Sequence, residues 1–314
     1  MSKQGASTAL IVGCGRIAGG YNAGDERLPL THVVAYRRAA IEVRACCDRD
    51  AAVAAAFAQR WSIPLFGTDP EALLAEVAPD AVSICTPAEG RLPLVHAVVR
   101  SSARAVLLEK PLADTAAGAR AVRDAVRTWG GAALVNYTRA FDPFYIELNG
   151  EMQAGVLGPV REVVARYYGS ARTNASHLLE RVLAALGSPT AVRRLSGDDQ
   201  APLFEVSFGA VRATFLPTIG CAWSPMELDF LCERGRVRVI DGEQRVERFE
   251  AGPDPRFPGY DMLVPVESSG SRPATGDLTF VFDALVRALA GETADAALLE
   301  RAAAVNEILE RVET

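Results

Sequence analysis

A lysine that follows a buried strand is the first residue in this sequence whose position could do chemistry. Residues 105–108 form an apolar run bounded by charge and proline, which predicts a short strand of a covered parallel sheet. Lys110 then lies at the carboxyl end of that strand, where open α/β sheets bind ligands. Pro111 favours extended backbone at Lys110, so the ammonium group is expected to hold a fixed position. Glu109 beside it leaves open an ordinary surface ion pair.

A glycine-rich turn near the start of the chain is the second such feature. The predicted strand 8–12 runs directly into Gly13-Cys14-Gly15-Arg16-Ile17-Ala18, a G-x-G-x-x-A pattern. In a dinucleotide-binding turn, the first glycine allows a tight turn, the second lets a pyrophosphate approach the backbone, and the small third residue lets a helix pack closely. The free N–H groups of that helix would meet the phosphates. An ordinary turn is the alternative, and the position after the first strand favours dinucleotide binding.

The end of the second predicted strand, 41–47, indicates which dinucleotide binds. Asp48 follows this strand, and an acidic residue here accepts hydrogen bonds from both hydroxyls of the adenosine ribose, which favours NAD. Asp48 is farther from the glycines than usual, and an insertion at 19–31 accounts for the excess. Arg49 keeps NADP open, because a guanidinium could bind the additional phosphate of NADP.

The elements that must position these residues alternate between strand and helix. Six apolar runs alternate with helical segments up to residue 140, which predicts a complete dinucleotide-binding domain over residues 1–140. Only the insertion departs from this rhythm. It carries Tyr21 and His32, and we expect it to lie either over the ligand crevice or on the surface.

The character of the sequence changes after residue 140. Longer strands with apolar residues at alternate positions are predicted at 161–168, 203–216, 226–232 and 237–240. We expect them to be consecutive antiparallel neighbours, with Arg234-Gly235 as a hairpin turn. Helical periodicity returns at 277–312. Residues 141–314 therefore predict an α+β domain with an open, largely antiparallel sheet, and the C-terminal helix is left free to pack back on the first domain.

Composition excludes several classes of protein. The 314 residues are 49% hydrophobic and 23% charged, and 33 basic against 39 acidic residues give a net charge of −6, so nucleic acid and anionic membranes are poor partners. No apolar run is long enough to span a bilayer, and the N-terminal run is too short for a signal peptide, so a cytoplasmic protein is expected. The six cysteines lack metal-ligand spacing and are expected to be reduced thiols, without a bound metal.

These motifs together resemble the Gfo/Idh/MocA family, which includes glucose-fructose oxidoreductase and inositol dehydrogenase. The motifs that carry the resemblance are Gly13-Cys-Gly-Arg-Ile-Ala18, Cys85-Thr86-Pro87, Glu109-Lys110-Pro111-Leu112 and Asn136-Tyr-Thr-Arg139, with Phe141 and Pro143. The resemblance implies a Rossmann domain followed by a substrate-binding sheet that mediates dimerisation or tetramerisation. It also implies hydride transfer between nicotinamide and a secondary hydroxyl or ketone of a sugar, a sugar derivative or a cyclitol.

The resemblance extends to individual residues. Lys110 is expected beside the nicotinamide and the substrate hydroxyl, where it would stabilise negative charge on the reacting oxygen. The predicted cofactor-binding residues are Gly13, Gly15, Arg16, Ile17, Ala18, Asp48, Arg49, Cys85, Thr86, Pro87, Glu109, Lys110 and Asn136. The predicted substrate-binding residues are Lys110, Arg139, Asn174 and His177.

His177 is the second predicted catalytic residue beside Lys110. It is expected in the first turn of a helix that Ser176 caps, where the positive end of the helix dipole disfavours the protonated imidazole. A neutral His177 could take the proton of a hydroxyl as hydride leaves the same carbon. Thr173 and Glu180 depart from the aspartates usual in the family. These departures weaken inositol as the substrate and resemble a branch that acts on nucleotide-linked sugars.

Two other functions stay open for this fold. A lyase or hydrolase could oxidise and re-reduce one sugar carbon with a cofactor that turns over transiently. A regulator could bind the dinucleotide or a sugar without turnover. The presence of both Lys110 and His177 favours the ordinary dehydrogenase or reductase over the regulator.

Overall fold

The computed structural model describes residues 7–22, 25–266, 270–271 and 277–313. The described residues form two compact units, one within Met1–Phe141 and Gly276–Asn306, the other within Asp142–Thr275 and Glu307–Thr314. The insertion predicted at 19–31 includes residues 23 and 24, which lie outside the described residues.

In the first unit, the described residues form a parallel sheet of six strands with the order β3-β2-β1-β4-β5-β6. The strands are β1 (Thr8–Val12), β2 (Glu42–Cys47), β3 (Leu65–Gly67), β4 (Ala81–Ile84), β5 (Ala105–Leu108) and β6 (Ala132–Val135). The helices between them are α1 (His32–Arg38), α2 (Ala51–Trp61), α3 (Pro70–Val77), α4 (Arg91–Val99) and α5 (Ala116–Arg127). The strand order reverses beside β1, so its carboxyl end and that of β4 form the crevice where such sheets bind ligands.

The central strands β4 and β5 are buried along their whole length because helices cover both faces of the sheet. Helix α8 (Thr279–Leu289), from the C-terminal helical region, contributes to this core, where Phe282 packs edge-on against Tyr36 at 4.7 Å between ring centroids. The predicted Rossmann domain is therefore confirmed as a fold.

The second unit contains a larger mixed sheet, in which the described strands run in the order β14-β13-β12-β11-β7-β10-β9-β8. They are β7 (Val160–Tyr168), β8 (Ala191–Gly197), β9 (Pro202–Phe208), β10 (Val211–Thr218), β11 (Glu227–Cys232), β12 (Gly235–Ile240), β13 (Arg245–Pro253) and β14 (Asp261–Pro265), and β15 (Gly270–Ser271) pairs with β13. The helices of this unit are α6 (Pro143–Ala154) and α7 (Ser176–Leu186). The last helix, α9 (Ala296–Glu313), belongs to the first unit up to Asn306 and to the second unit from Glu307. This architecture confirms the predicted α+β fold with a largely antiparallel sheet.

Two details of that sheet were predicted wrongly. The run 203–216 is two strands, because Gly209 adopts a left-handed φ of +63° and turns the chain between β9 and β10. The strands are also not consecutive neighbours, since β7 lies between β10, with which it is parallel, and β11. The hairpin between β11 and β12 is confirmed, but its turn lies at Glu233 and Arg234 and not at the predicted Arg234-Gly235, because Gly235 already pairs with Cys232 as the first residue of β12.

We expect Phe282→Ala to lower the free energy of unfolding by about 3 kcal/mol, because the ring is 3% exposed and its removal leaves a cavity in the core of the first unit. Phe280 on the same helix is 37% exposed, and its alanine variant should change stability by no more than about 0.5 kcal/mol. Urea denaturation of the full chain measures both. Equal losses in the two variants would contradict the packing of α8.

Candidate functional site

The glycine turn after β1 packs against the end of β4. Gly13 has a φ of +93°, and its N–H donates to the carbonyl of Cys47 over 2.7 Å. A Cβ on Gly13 would lie 2.8 Å from the Thr86 nitrogen and 2.9 Å from the Cys85 carbonyl carbon. A Cβ on Gly15 would meet no described atom within 4 Å. The first glycine is therefore required by the protein itself, whereas the second leaves open space beside the turn.

Asp48 connects the glycine turn to the end of β2. Its Oδ2 accepts from the Cys14 N–H at 2.8 Å, and its Oδ1 accepts from the Asp50 N–H at 3.1 Å. Arg49 is exposed. The carboxylate is thus fixed at the end of β2, beside the turn, as the ribose role predicted for it requires.

A buried arginine, which sequence reasoning missed, holds two of the strand-end loops. Arg91 is 1% exposed and donates to the carbonyls of Thr86 at 2.7 Å, of Leu112 at 3.2 Å, and of Glu109 and Pro111. These carbonyls belong to the loops that follow β4 and β5. The signal in the sequence was an arginine at the start of an apolar helix, directly after Gly90.

Glu109 lies at the centre of a buried polar cluster. Its Oε1 accepts from the Asn136 Nδ2 at 2.6 Å and lies 2.8 Å from His32 Nε2. Burial would raise the pKa of Glu109, but the hydrogen bond and electrostatic interaction with His32, the hydrogen bond from Asn136 and the charge of Lys110 outweigh it, so that pKa lies below its ordinary value. His32 is fully buried as the first residue of α1, so neither predicted place for it, over the crevice or on the surface, is correct. Tyr21 is exposed.

Lys110 is the residue directly after Glu109, and the Lys110–Pro111 peptide bond is cis. Burial lowers the pKa of Lys110, the charge of Glu109 opposes that shift, and the positive charge of Arg139 adds to it. The ammonium group is therefore a partly desolvated donor with an anionic neighbour. Such a group can stabilise negative charge that develops on a substrate oxygen.

The buried polar atoms without a hydrogen-bond partner in the described part of the chain include two acceptors at the strand ends, the Thr86 Oγ1 and the Asn136 Oδ1. Buried polar groups in proteins are almost always satisfied, so unsatisfied ones at the carboxyl edge of a sheet indicate a polar ligand. With the open space at Gly15, these atoms fit the polar groups of a bound dinucleotide.

The second unit carries His177 and Asn174, whose local structure corrects one prediction. Residues Ala171–Ala175 form one turn of π-helix that continues directly into α7. Ser170 caps this segment by accepting from the Thr173 N–H at 3.2 Å, and the Ser176 hydroxyl donates to the Arg172 carbonyl at 2.7 Å. Ser176 is therefore not an N-cap, and His177 does not occupy a free first turn.

The two departures from the family pattern have different surroundings. Thr173 is exposed, whereas Glu180 is buried and forms an ion pair with the adjacent Arg181. Asn174 donates through Nδ2 to the Tyr168 carbonyl at 2.7 Å, which fixes the amide at the end of β7. Glu180 is thus buried in the protein and paired with Arg181. Because the Asn174 Nδ2 is already hydrogen-bonded, the substrate role predicted for Asn174 would fall to its Oδ1.

A cavity of about 490 Å³ opens at the carboxyl ends of β7 and β10 in the second unit. Its polar lining includes Ser170, Asp198, Gln200 and Ser224, and the indole of Trp223 is 53% exposed. Hydroxyl, amide and carboxylate groups beside an aromatic ring suit a polyhydroxylated ligand better than an apolar one.

Comparison with known proteins identifies the first unit. The family model described as "Oxidoreductase family, NAD-binding Rossmann fold" (Gfo/Idh/MocA) matches residues 8–137. D-glucoside 3-dehydrogenase of Escherichia coli is 32% identical over 127 residues, which cover 40% of this chain and 36% of that protein. Inositol 2-dehydrogenase 1 of Saccharopolyspora erythraea is 32% identical over 150 residues, which cover 48% and 43%.

The similarity of fold extends over nearly the whole chain. The crystal structure of an oxidoreductase domain protein from Kribbella flavida has a TM-score of 0.77 over 98% of this chain and 96% of its own, at 18% identity. Residues 8–137 match the model of the Gfo/Idh/MocA oxidoreductase family, which confirms the resemblance read from the motifs and the class of cofactor. The two dehydrogenases are matched over less than half of their own lengths.

Two further properties bear on the class of protein. Within the described ranges, no helix is both long and apolar enough to cross a membrane. The same residues contain no group of three or more His, Cys, Asp or Glu side chains that could hold a metal ion.

We expect Gly13→Ala to destabilise the protein by about 1–3 kcal/mol, because alanine is strained at this φ and its methyl group would meet the backbone after β4. Gly15→Ala should leave stability within about 0.5 kcal/mol of wild type, since the space there is open. Thermal melting without ligand measures both effects. A stable Gly13→Ala protein would contradict the close approach of the two strand ends.

Proposed function

We propose that the protein is an NAD-dependent oxidoreductase that interconverts a secondary hydroxyl and a ketone on a sugar, a sugar derivative or a cyclitol. One observation carries the proposal: Lys110 and Lys3 are the only lysines among 33 basic residues. Apart from Lys3, the other Lys or Arg positions are all arginine, yet the residue after Glu109 at the end of β5 is lysine, in a chain that matches a family of NAD-binding oxidoreductases. A compact ammonium on a flexible stem, whose pKa responds to burial, suits proton and charge transfer in a way that guanidinium does not.

The cofactor is assigned to the first unit. The turn from Gly13 to Ala18 would hold the pyrophosphate, and Asp48 would accept hydrogen bonds from the ribose hydroxyls. The unsatisfied Thr86 Oγ1 and Asn136 Oδ1 would hydrogen-bond to polar groups of the dinucleotide. The bound nicotinamide supplies the site that accepts or donates hydride.

The protein's own residues supply the charge and proton steps. Lys110 would donate a hydrogen bond to the reacting oxygen and stabilise negative charge on it in the transition state. His177 would accept the hydroxyl proton during oxidation and return it during reduction. Arg139 and Asn174 would orient the substrate through its hydroxyl groups.

The substrate class rests on the relatives and on the second unit. D-glucoside 3-dehydrogenase and inositol 2-dehydrogenase are named for polyhydroxylated substrates. The lining of the cavity at β7 and β10 has the same chemical preference. A nucleotide-linked sugar belongs to the same class and is included in the proposal.

Assembly and location complete the proposal. We assign residues 1–140 to dinucleotide binding, and 141–314 to substrate binding and to assembly of a homodimer or homotetramer through the sheet of the second unit. Within 141–314, the described residues 277–306 are part of the first unit. The six cysteines form no disulfide, and five of them are buried, which supports a reducing, cytoplasmic environment.

Lys110→Met should lower turnover at least about 100-fold, because it removes the donor to the reacting oxygen while keeping the length of the side chain. Dinucleotide binding, measured by thermal shift, should remain. Lys3→Arg is the matched control and should turn over like the wild type. A Lys110→Met enzyme with normal turnover would remove the catalytic assignment.

NAD and NADH should raise the melting temperature, and NADP and NADPH should raise it less, because the Asp48 carboxylate accepts from ribose hydroxyls and repels a phosphate. Asp48→Asn should reduce the increase in melting temperature with NAD and narrow the difference between the NAD and NADP increases. A shift with the phosphorylated pair alone, abolished by Arg49→Gln, would transfer the preference to NADP.

A further inference from the structure

A chain of buried hydrogen bonds runs from α1 to the residue beside Lys110. The Tyr36 hydroxyl lies 2.8 Å from Ser83 Oγ, Ser83 Oγ lies 2.9 Å from His32 Nδ1, and His32 Nε2 lies 2.8 Å from Glu109 Oε1. Each of these residues is at most 7% exposed. A polar chain of this kind has to be satisfied internally, because water does not reach it.

One arrangement of protons satisfies every link. With a neutral imidazole, Tyr36 donates to Ser83, Ser83 donates to His32 Nδ1, and His32 Nε2–H donates to the Glu109 carboxylate. All three donors then point toward the negative charge, and each polarises the next. A protonated imidazole would instead donate from Nδ1–H to Ser83, so that the Ser83 hydroxyl proton would lose His32 as its acceptor.

The far end of the chain excludes a path for protons to solvent. Tyr36 is fully buried, and its ring packs edge-on against Phe282. These hydrogen bonds therefore stabilise the negative charge of Glu109 and do not carry protons to solvent. Asn136 donates to the same carboxylate oxygen and is the second group that keeps it ionised.

We propose that His32 is a positioning residue, whose Nε2–H keeps the Glu109 carboxylate ionised at neutral pH so that Glu109 holds Lys110 protonated and in place. The catalytic consequence rests on the proposed function, because Lys110 matters to turnover only if it contacts the substrate. The link between His32 and Glu109 stands on the geometry of the first unit alone.

The other groups that face this pair do not titrate near neutral pH. Burial raises the pKa of Tyr36 on α1 and raises that of Cys85 after β4 well above its ordinary value. Arg91 on α4 and Arg139 after β6 remain cations. If a new titration appears when His32 is replaced, its disappearance in a variant that also lacks the Glu109 carboxylate therefore assigns it to Glu109.

Lys110 can report this charge directly. In a Lys3→Arg background it is the only lysine, so biosynthetic labelling of lysine with carbon-13 at Cε gives one NMR signal that needs no substrate. The pair His32→Asn and His32→Gln separates the two ring nitrogens. The asparagine amide reaches the position of Nδ1 beside Ser83, whereas the glutamine amide reaches that of Nε2 beside Glu109.

We expect the Lys110 signal of His32→Asn to show a new inflection between about pH 5 and pH 8, because a buried carboxylate that loses a donor takes up a proton at higher pH. The wild type, His32→Gln and the exposed-site control His96→Asn should show none. The inflection should vanish in the double variant His32→Asn/Glu109→Gln.

The proposal is overturned if His32→Asn titrates like the wild type, or if His32→Gln shows the same inflection. Glu109→Gln alone gives a second test that leaves His32 in place: the Lys110 midpoint should fall by about one pH unit. An unchanged midpoint would remove the link between Glu109 and Lys110.

Activity adds a readout that keeps the two proposals distinguishable. The kcat/KM of His32→Asn should fall on the acid side of the new inflection, and His32→Gln should restore the wild-type profile. Absence of any dinucleotide shift or turnover in the wild type would defeat the proposed function and leave the NMR result intact. If the kcat/KM of His32→Asn at acid pH matched that of the wild type, the positioning role of His32 in turnover would be ruled out.

Discussion

The buried carboxylate of Glu109 is the group on which the site depends. A charge that is almost removed from water costs several kcal/mol unless donors surround it. The fold meets this requirement by bringing together the first residue of α1, the end of β6 and the lysine that follows Glu109 itself. Each of these elements has to begin or end at a particular residue so that its donor lies within hydrogen-bond or electrostatic range of the Glu109 carboxylate. The same requirement places Lys110 at the edge of the sheet with an anion at its side.

A second layer of contacts makes this edge rigid. The Arg91 guanidinium donates to carbonyls from the loops after β4 and β5, so these loops cannot move independently. Gly13 allows the turn after β1 to approach the same region within contact distance. The loops after β1, β4 and β5 are therefore held by the protein's own contacts, and such preorganisation is the condition for electrostatic stabilisation of a transition state.

Those parts of the site that consist of consecutive residues could be predicted from the sequence. The glycine turn and the Glu-Lys-Pro segment have local geometry, and both strands that carry them were correctly predicted. His32 could not be assigned, because its partner Glu109 is 77 residues away and the contact exists only in the folded sheet. Arg91 was missed for the same reason.

Helix starts and strand order show the other limit of sequence reasoning. Ser176 has the residue type of a cap, yet the chain was already helical five residues earlier, and tertiary packing decided the start. The turn at Gly209 was visible in the sequence as an isolated glycine within a strand pattern. The parallel pairing of β7 with β10 was not, because alternation of apolar residues defines a face and not a neighbour.

Isotope transfer shows whether the protein moves hydride between nicotinamide and a sugar carbon. The protein would be incubated with keto-sugars and NADH that carries deuterium at the transferable position of the nicotinamide, and the products analysed by mass spectrometry. We expect a hydroxylated product with one deuterium on the former carbonyl carbon and one NAD formed for each product molecule. Bound NADH without deuterium in any product, or product formed without net consumption of NADH, would contradict this expectation.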